Sequence, residues 1–276
     1  MSQPGAYTIF REFPVAPARE FQMDRHYLLY AAKGAMRLQA KGRTWFLPPA
    51  RAALIAAGTP VNIAVVQNMT ACSVLFSADF MSTAPPSMAV FDMTPLSRAL
   101  ILECRQWTEI EGELSEYSAQ IFKALATVTW RLAAKPSPAV MPDAKTQLIR
   151  RALELTEAGL SGTPEVADIA RVLATTPRSL SRRFSDDIGM TWRQALRRLR
   201  MIRAMELLAL SDQSITETAF AVGYSSASAF NTAFRDFAGT TPSQYVRSFS
   251  AVDPDLLVRR TRQPHVGRRA QSRGQG

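Results

Sequence analysis

Histidine and cysteine are almost missing from this sequence of 276 residues, which holds only His26, His265, Cys72 and Cys104. Two cysteines do not make a disulfide framework. Both read as small buried hydrophobes, with a redox or effector role as the alternative. A metal centre needs clustered ligands, and two histidines at opposite ends of the chain supply no cluster. A cysteine nucleophile needs a neighbouring base, and no histidine lies near either cysteine in sequence. No catalytic residue, metal or cofactor is therefore expected, and an enzyme is not the expected reading. Long apolar runs are missing too. Nothing approaches 18 uninterrupted apolar residues, so no membrane-spanning helix is expected. The N-terminus has no basic-then-apolar leader pattern, which points to the cytoplasm.

Basic charge is in surplus. Lys and Arg number 33 against 23 Asp and Glu, a formal net charge of +10. Residues 1–143 carry 13 basic and 11 acidic side chains, residues 144–250 carry 14 and 10, and residues 251–276 carry 6 and 2. A basic second half with a basic tail suits phosphate binding, although a solvated basic surface has the same composition.

The second half also contains one device twice. Asp168 to Phe184 and Thr218 to Phe234 each read as a short helix, a tight turn and a second helix. Phe184, Gly189, Thr191 and Gln194 recur fifty positions later as Phe234, Gly239, Thr241 and Gln244, and Leu180 is matched by Phe230. Upstream of the turn the offset falls by one, pairing Ala170 with Ala219 and Ala174 with Gly223, so the second turn is one residue longer. Gly223 suits a turn position of positive φ; Ala174 is a weaker turn former. Thr176-Pro177 and Thr241-Pro242 place a hydroxyl at an N-cap and proline at the first helical position. Ser214 with Glu217, Thr191 with Gln194 and Thr241 with Gln244 have the capping-box spacing. Two helix-turn-helix units offer two helices to DNA major grooves, and so predict a sequence-specific DNA-binding protein.

Leu180 to Phe184, Gly189 to Thr191, Arg197 to Leu208, Ile215 to Tyr224, Phe230 to Arg235 and Gly239 to Tyr245 together resemble the DNA-binding domain of AraC/XylS-type transcriptional regulators. The resemblance runs without interruption over about residues 145 to 249. It implies seven helices forming two helix-turn-helix subdomains joined by a long central helix.

Residues 6 to 80 read as short strands. His26 to Tyr30, Ala35 to Ala40, Arg43 to Leu47, Ala52 to Ala56, Val61 to Val66 and Ala71 to Phe76 are separated by turn signals at Lys33-Gly34, Lys41-Gly42, Gly58-Thr-Pro60 and Gln67-Asn68. Such spacing suggests a small barrel or sandwich. It resembles, more weakly, the cupin-like effector domain found at the N-terminus of AraC-type regulators. A metal-binding cupin is rejected, because Val61 stands where a ligand histidine would fall. His26 reads as a surface or hydrogen-bonded strand residue, with a place in an effector pocket as the alternative. Residues 81 to 92 read as a Ser/Pro/Met-rich connector. Helices are expected from Thr94-Pro95 to about Glu109 and from Leu114 to Ala134. The apolar stripe Leu114, Tyr117, Ile121, Phe122, Leu125, Val128 and Leu132 on the second suits either its own barrel or, as the resemblance suggests, a second subunit.

The fold class expected is thus α+β: an N-terminal cupin-like β-barrel with dimerisation helices, then an all-α domain with two helix-turn-helix units. The boundaries expected are 1–82 for the effector domain, 83–134 for the helical region, 135–144 for a linker, 145–250 for the DNA-binding domain and 251–276 for a disordered basic tail. The prolines of Lys135 to Pro142 favour an extended spacer.

On the first recognition helix Leu180 and Phe184 should face the core, leaving Arg178, Ser181 and Arg182 on the opposite side, with Ser185 below them. Each arginine suits a bidentate contact to guanine, or a phosphate contact alone. On the second, Ala227, Ser228, Asn231 and Thr232 should face outward, with Arg235 the first long charged side chain. Asn231 suits adenine and Ala227 a thymine methyl. These outward residues coincide with base-contacting positions in the family resembled. The expected partners are double-stranded DNA, RNA polymerase, an unknown small-molecule effector and a second copy of the chain. The expected role is a ligand-responsive transcriptional activator. The rivals are a repair enzyme fused to a DNA-binding module and a regulator that senses a protein.

Overall fold

The computed structural model describes residues 4–250, except residues 50, 109–112 and 138–139. The tail at 251–276, expected to be disordered, lies outside the described residues.

The first part of the chain is one antiparallel sheet of eight strands, β1 (Ala6–Phe13), β2 (Ala16–Phe21), β3 (His26–Ala40), β4 (Arg43–Leu47), β5 (Arg51–Ile55), β6 (Val61–Phe76), β7 (Met88–Asp92) and β8 (Val140–Pro142). Two of them are much longer than their turn signals allow. Lys33-Gly34 and Gln67-Asn68 do not end strands; they bend β3 and β6 side by side, with register shifts between Ala31 and Met36. Gly34 adopts φ 75°, and a Cβ there would lie 2.2 Å from the Asn68 carbonyl oxygen, so the bend needs glycine. Beyond the bend each long strand changes neighbours. The first half of β3 pairs with β5 and the second half with β4.

The sheet therefore curls, but it is open: among the described residues no strand pair closes it. The expected closed barrel is corrected to a curled sheet. Its two faces alternate residue by residue, as strand geometry requires. Leu29, Ala31, Met36, Leu38, Leu47 and Leu75 pack together on one face. Leu28, Tyr30, Leu54, Val74 and Phe76 point to the other, against α1 (Pro95–Cys104) and α2 (Glu116–Ala133). Residues 88–92, read as part of a connector, are strand β7 paired with β5. Ala89, Val90 and Phe91 are all buried there, a local apolar run hidden behind prolines and serines.

Thr94 and Ser97 form the capping box that starts α1, with Pro95 in its first turn. The stripe on α2 is largely the chain's own core. Phe122 and Leu125 are fully buried against Phe76 and the sheet, so the expected pairing of two copies through this stripe finds no support in the packing. Cys72 and Cys104 sit in the same core, both fully buried. Burial pushes the Cys72 thiol up to about 12, the opposite of what a nucleophile needs. His26 is buried too. Its Nδ1 accepts from the Ala57 amide at 3.0 Å and its Nε2 donates to the Ala78 carbonyl at 3.1 Å, which fixes one neutral tautomer.

The second part is all helix: α3 (Gln147–Ala158), α4 (Val166–Val172), α5 (Pro177–Ile188), α6 (Trp192–Leu210), α7 (Ile215–Ala221), α8 (Ala227–Ala238) and α9 (Pro242–Ser250). It has two small cores. Ile149, Ala152, Leu180, Phe184 and Trp192 form one; Met201, Met205, Phe230, Phe234 and Tyr245 form the other. The central helix α6 lends residues to both. Its Trp192 indole donates to Thr156 Oγ1 at 3.0 Å, fixing α6 to α3.

The expected extended spacer is instead docked. Val140 to Pro142 pair with Arg43 to Trp45 of β4, and Arg198 of α6 donates to the Val140 carbonyl at 2.6 Å. Arg51, only 2% exposed, donates to Asp92 at 2.9 Å and reaches Met205 Sδ of α6 at 3.4 Å. The sheet and the helical domain thus share a boundary that includes a buried arginine.

Candidate nucleic-acid interface

Helices α5 and α8 are built alike. Each has 12 residues. Each begins on a hydroxyl cap, Thr176 or Ser226, whose side chain accepts from the amide three residues on. Each ends on a left-handed glycine, Gly189 or Gly239, both at φ 71°. The turns before them match in the same way. Ala174 (φ 50°) and Gly223 (φ 79°) are both left-handed, and Gly223 stands one residue further from its cap. At Gly223 a Cβ would meet the Leu160 carbonyl at 2.4 Å. Glycine is needed there for space as well as for φ.

The buried faces of the two helices correspond. Leu180 and Phe184 lie under α5 as Phe230 and Phe234 lie under α8, each fully buried. The outward rows correspond as well. Arg178, Ser181, Arg182 and Ser185 are exposed on α5, and Ser228, Asn231, Thr232 and Arg235 are exposed at the same four places on α8. Ala227 is half-buried at the start of α8. The chemistry of the rows is complementary: α5 has arginine where α8 has Ser228 and Thr232, and α8 has Arg235 where α5 has Ser185. Arg183, left out of the expected contacts, is also exposed beside Arg182.

The arginines divide into two groups. On α6, Arg197 pairs with Asp236 at 3.3 Å, Arg198 holds Val140, Arg200 donates to the Gly162 carbonyl at 2.8 Å, and Arg203 pairs with Glu206 at 2.8 Å. The sequence places Arg193, Arg197, Arg200 and Arg203 on the more exposed faces of this helix, for phosphates or acidic neighbours; Arg197 and Arg203 have acidic neighbours, and Arg200 is held by a backbone carbonyl. Arg178, Arg182, Arg183 and Arg235 have no ion-pair or hydrogen-bond partner among the described residues. A guanidinium left in water on a recognition helix carries five donors that the fold does not use.

Spacing follows from α6. Its 19 residues give about 28 Å at 1.5 Å per residue, close to one turn of B-DNA. Both ends are fixed by packing, Trp192 in the first core and Leu208 in the second.

Residues 169–248 match the helix-turn-helix domain family, which takes in α5 to α8 and both turns. Over 235 residues the chain is 26% identical to the HTH-type transcriptional regulator NimR of Escherichia coli, covering 84% of each protein. The second half of this chain is an AraC-type helix-turn-helix domain, and the relatives that match it are HTH-type transcriptional regulators. A shorter stretch of 76 residues is 37% identical to the HTH-type transcriptional activator RhaS of Escherichia fergusonii, covering 28% of this chain and 27% of that one. A solved AraC-type DNA-binding-domain transcriptional regulator from Chromobacterium violaceum is 26% identical and covers 38% of this chain and 95% of its own, at a TM-score of 0.37. The relatives are regulators rather than enzymes. Among the described residues no helix is long and apolar enough to cross a membrane.

Proposed function

We propose that this chain is a cytoplasmic, ligand-responsive activator whose two recognition helices enter successive major grooves on one face of its operator. The observation that carries the reading is the pair of matched exposed rows at the two ends of α6. On α5, Arg178 and Arg182 stand one turn apart, each suited to guanine O6 and N7, with Ser181 between them. On α8, Ser228, Asn231 and Thr232 offer short polar contacts, Asn231 to adenine, and Ala227 offers a methyl to thymine. Arg235, one turn further along, serves a phosphate. The α5 row therefore discriminates bases, and the α8 row positions the domain and reads shape. The curled, cupin-like sheet is the sensing part, and RNA polymerase is the partner an activator must touch.

The test is Arg182→Ala, assayed on an operator selected from random DNA with the intact protein. Specific binding should weaken by about 1–3 kcal/mol, the value of one bidentate base contact. Binding to unrelated DNA should change much less. Equal loss on both DNAs would make Arg182 a phosphate contact and remove the base-reading role from α5.

A further inference from the structure

A cleft of about 660 Å³ lies between the sheet and the helical domain. That volume is in the range of small-molecule sites, which occur preferentially at domain boundaries. Phe46 of β4 and Leu153, Leu199 and Ile202 of α3 and α6 give it apolar walls. Four carboxylates line it, from Asp143, Glu154, Glu157 and Glu206, against two guanidinium groups, from Arg37 and Arg150.

The two arginines are not equivalent. Arg150 donates to Gln147 and to the Ala144 carbonyl, around the start of its own helix. Arg37, from β3, is the cation presented to the acidic wall. Its Nη2 lies 3.4 Å from Glu157 and 3.7 Å from Glu206. Both separations are long, and Arg37 and Glu157 each keep 45% of their side-chain surface in water. Such a pair contributes little and exchanges readily. Glu206 is different. It is 5% exposed, and burial raises its pKa. Arg203 holds one carboxylate oxygen at 2.8 Å, while the other has, among the described residues, only the distant Arg37. A buried carboxylate so placed gains from a closer cation.

We propose that this cleft binds a small organic cation with a planar, charge-delocalised head and an apolar body, an aromatic amidinium or guanidinium, which takes the place of the Arg37 head between Glu157 and Glu206. The inference rests on the ligand-responsive reading above and names its site. A planar head with forked N–H donors matches carboxylate geometry, as arginine itself does. The apolar body rests on Leu199 and Ile202. Glu154 and Glu206 are already paired with Arg151 and Arg203 at 2.8 Å, so the discrimination against an anion of the same shape comes from Glu157 and the Glu206 oxygen that Arg203 does not hold. Among the described residues Arg37 makes the ion pairs that tie the sheet to α3 and α6, so a ligand that displaces it changes the contact between domains. Binding then favours one domain arrangement through its differential affinity, as any effector must.

Benzamidine is the probe, titrated calorimetrically into the full chain beside benzamide and benzoate. The expected result is saturable binding of benzamidine, at least tenfold weaker binding of uncharged benzamide, and none of benzoate. Glu157→Gln, a half-exposed change that the fold tolerates, should weaken benzamidine at least fivefold; Glu206→Gln is the stronger variant where it folds. Absence of benzamidine binding, benzamide or benzoate binding as tightly, or an unchanged Glu157→Gln protein would overturn the site. Operator affinity measured with the cleft saturated separates this from the broader reading. An unchanged operator affinity sinks ligand response through this cleft and leaves the site standing. Failure of benzamidine to bind sinks the site, while the broader reading keeps its own test with other molecules.

Discussion

Ala174 has the least comfortable backbone in the DNA-binding domain. It is an alanine in the left-handed region, at φ 50°, in the turn where the second unit has Gly223. That conformation costs an L-residue about 1–2 kcal/mol. Replacement by glycine removes the strain and adds about 0.4–1 kcal/mol of unfolded-state entropy to overcome. Ala174→Gly should therefore stabilise the protein by about 0.5–1 kcal/mol, read from urea unfolding. A destabilised variant would mean that the Ala174 methyl makes a contact worth more than the strain. Residue-level features of this kind were legible in the sequence, because they depend on neighbours a few positions away. Thr191 with Gln194 and Ser214 with Glu217 form the expected boxes, and Thr241 with Gln244 exchange the same two bonds. The roles of Arg51 and Arg200 were not legible. Their partners stand far away in sequence or belong to the other domain, and an arginine in sequence reads as solvated.

Elements are held to one another by a few polar groups as well as by apolar faces. Asp187, near the end of α5, accepts from the Lys145 amide at 2.7 Å, the Thr146 amide at 2.9 Å and the Thr146 hydroxyl. It thereby anchors the start of α3 to the first recognition helix. Burial raises its carboxyl, but these bonds and Lys145 outweigh it, and its pKa ends below the usual carboxylate value. A depressed carboxylate stabilises the fold above its unfolded pKa of about 3.9 and loses that stabilisation as pH falls through its lower folded value. Asp187→Ala should cost about 2–3 kcal/mol at neutral pH, the worth of hydrogen bonds to a charged group plus the amides left unpaired. The acid limb of stability against pH should flatten in the variant. A loss below about 0.5 kcal/mol by urea unfolding would show that water replaces Asp187 without penalty. The helices were readable in sequence from caps and 3.6-residue periodicity. The strands were readable only in part. Lys33-Gly34 and Gln67-Asn68 carry turn chemistry, yet β3 and β6 run through them, because each bend is satisfied by the other strand across the sheet. Long-range pairing of that kind leaves no local signal.

At the scale of the whole molecule, α6 joins everything. It supports both cores, separates both recognition helices, and meets the sheet through Met205, Arg198 and Glu206. The docked strand β8 and the buried Arg51 make the domain boundary a packed contact. No periodicity in the sequence announced it, since the proline-rich stretch before it reads as a spacer and only the exposed edge of β4 turns Val140 to Pro142 into a strand. The central claim is that one chain reads DNA with both units at a separation set by α6. Guanine-methylation interference on the selected operator, with the full chain, tests it most directly. The expected result is two patches of major-groove interference about one helical turn, 10–10.5 base pairs, apart on the same face of the duplex, the stronger one lost in Arg182→Ala. A single patch for each bound chain, or two patches on opposite faces, would contradict it.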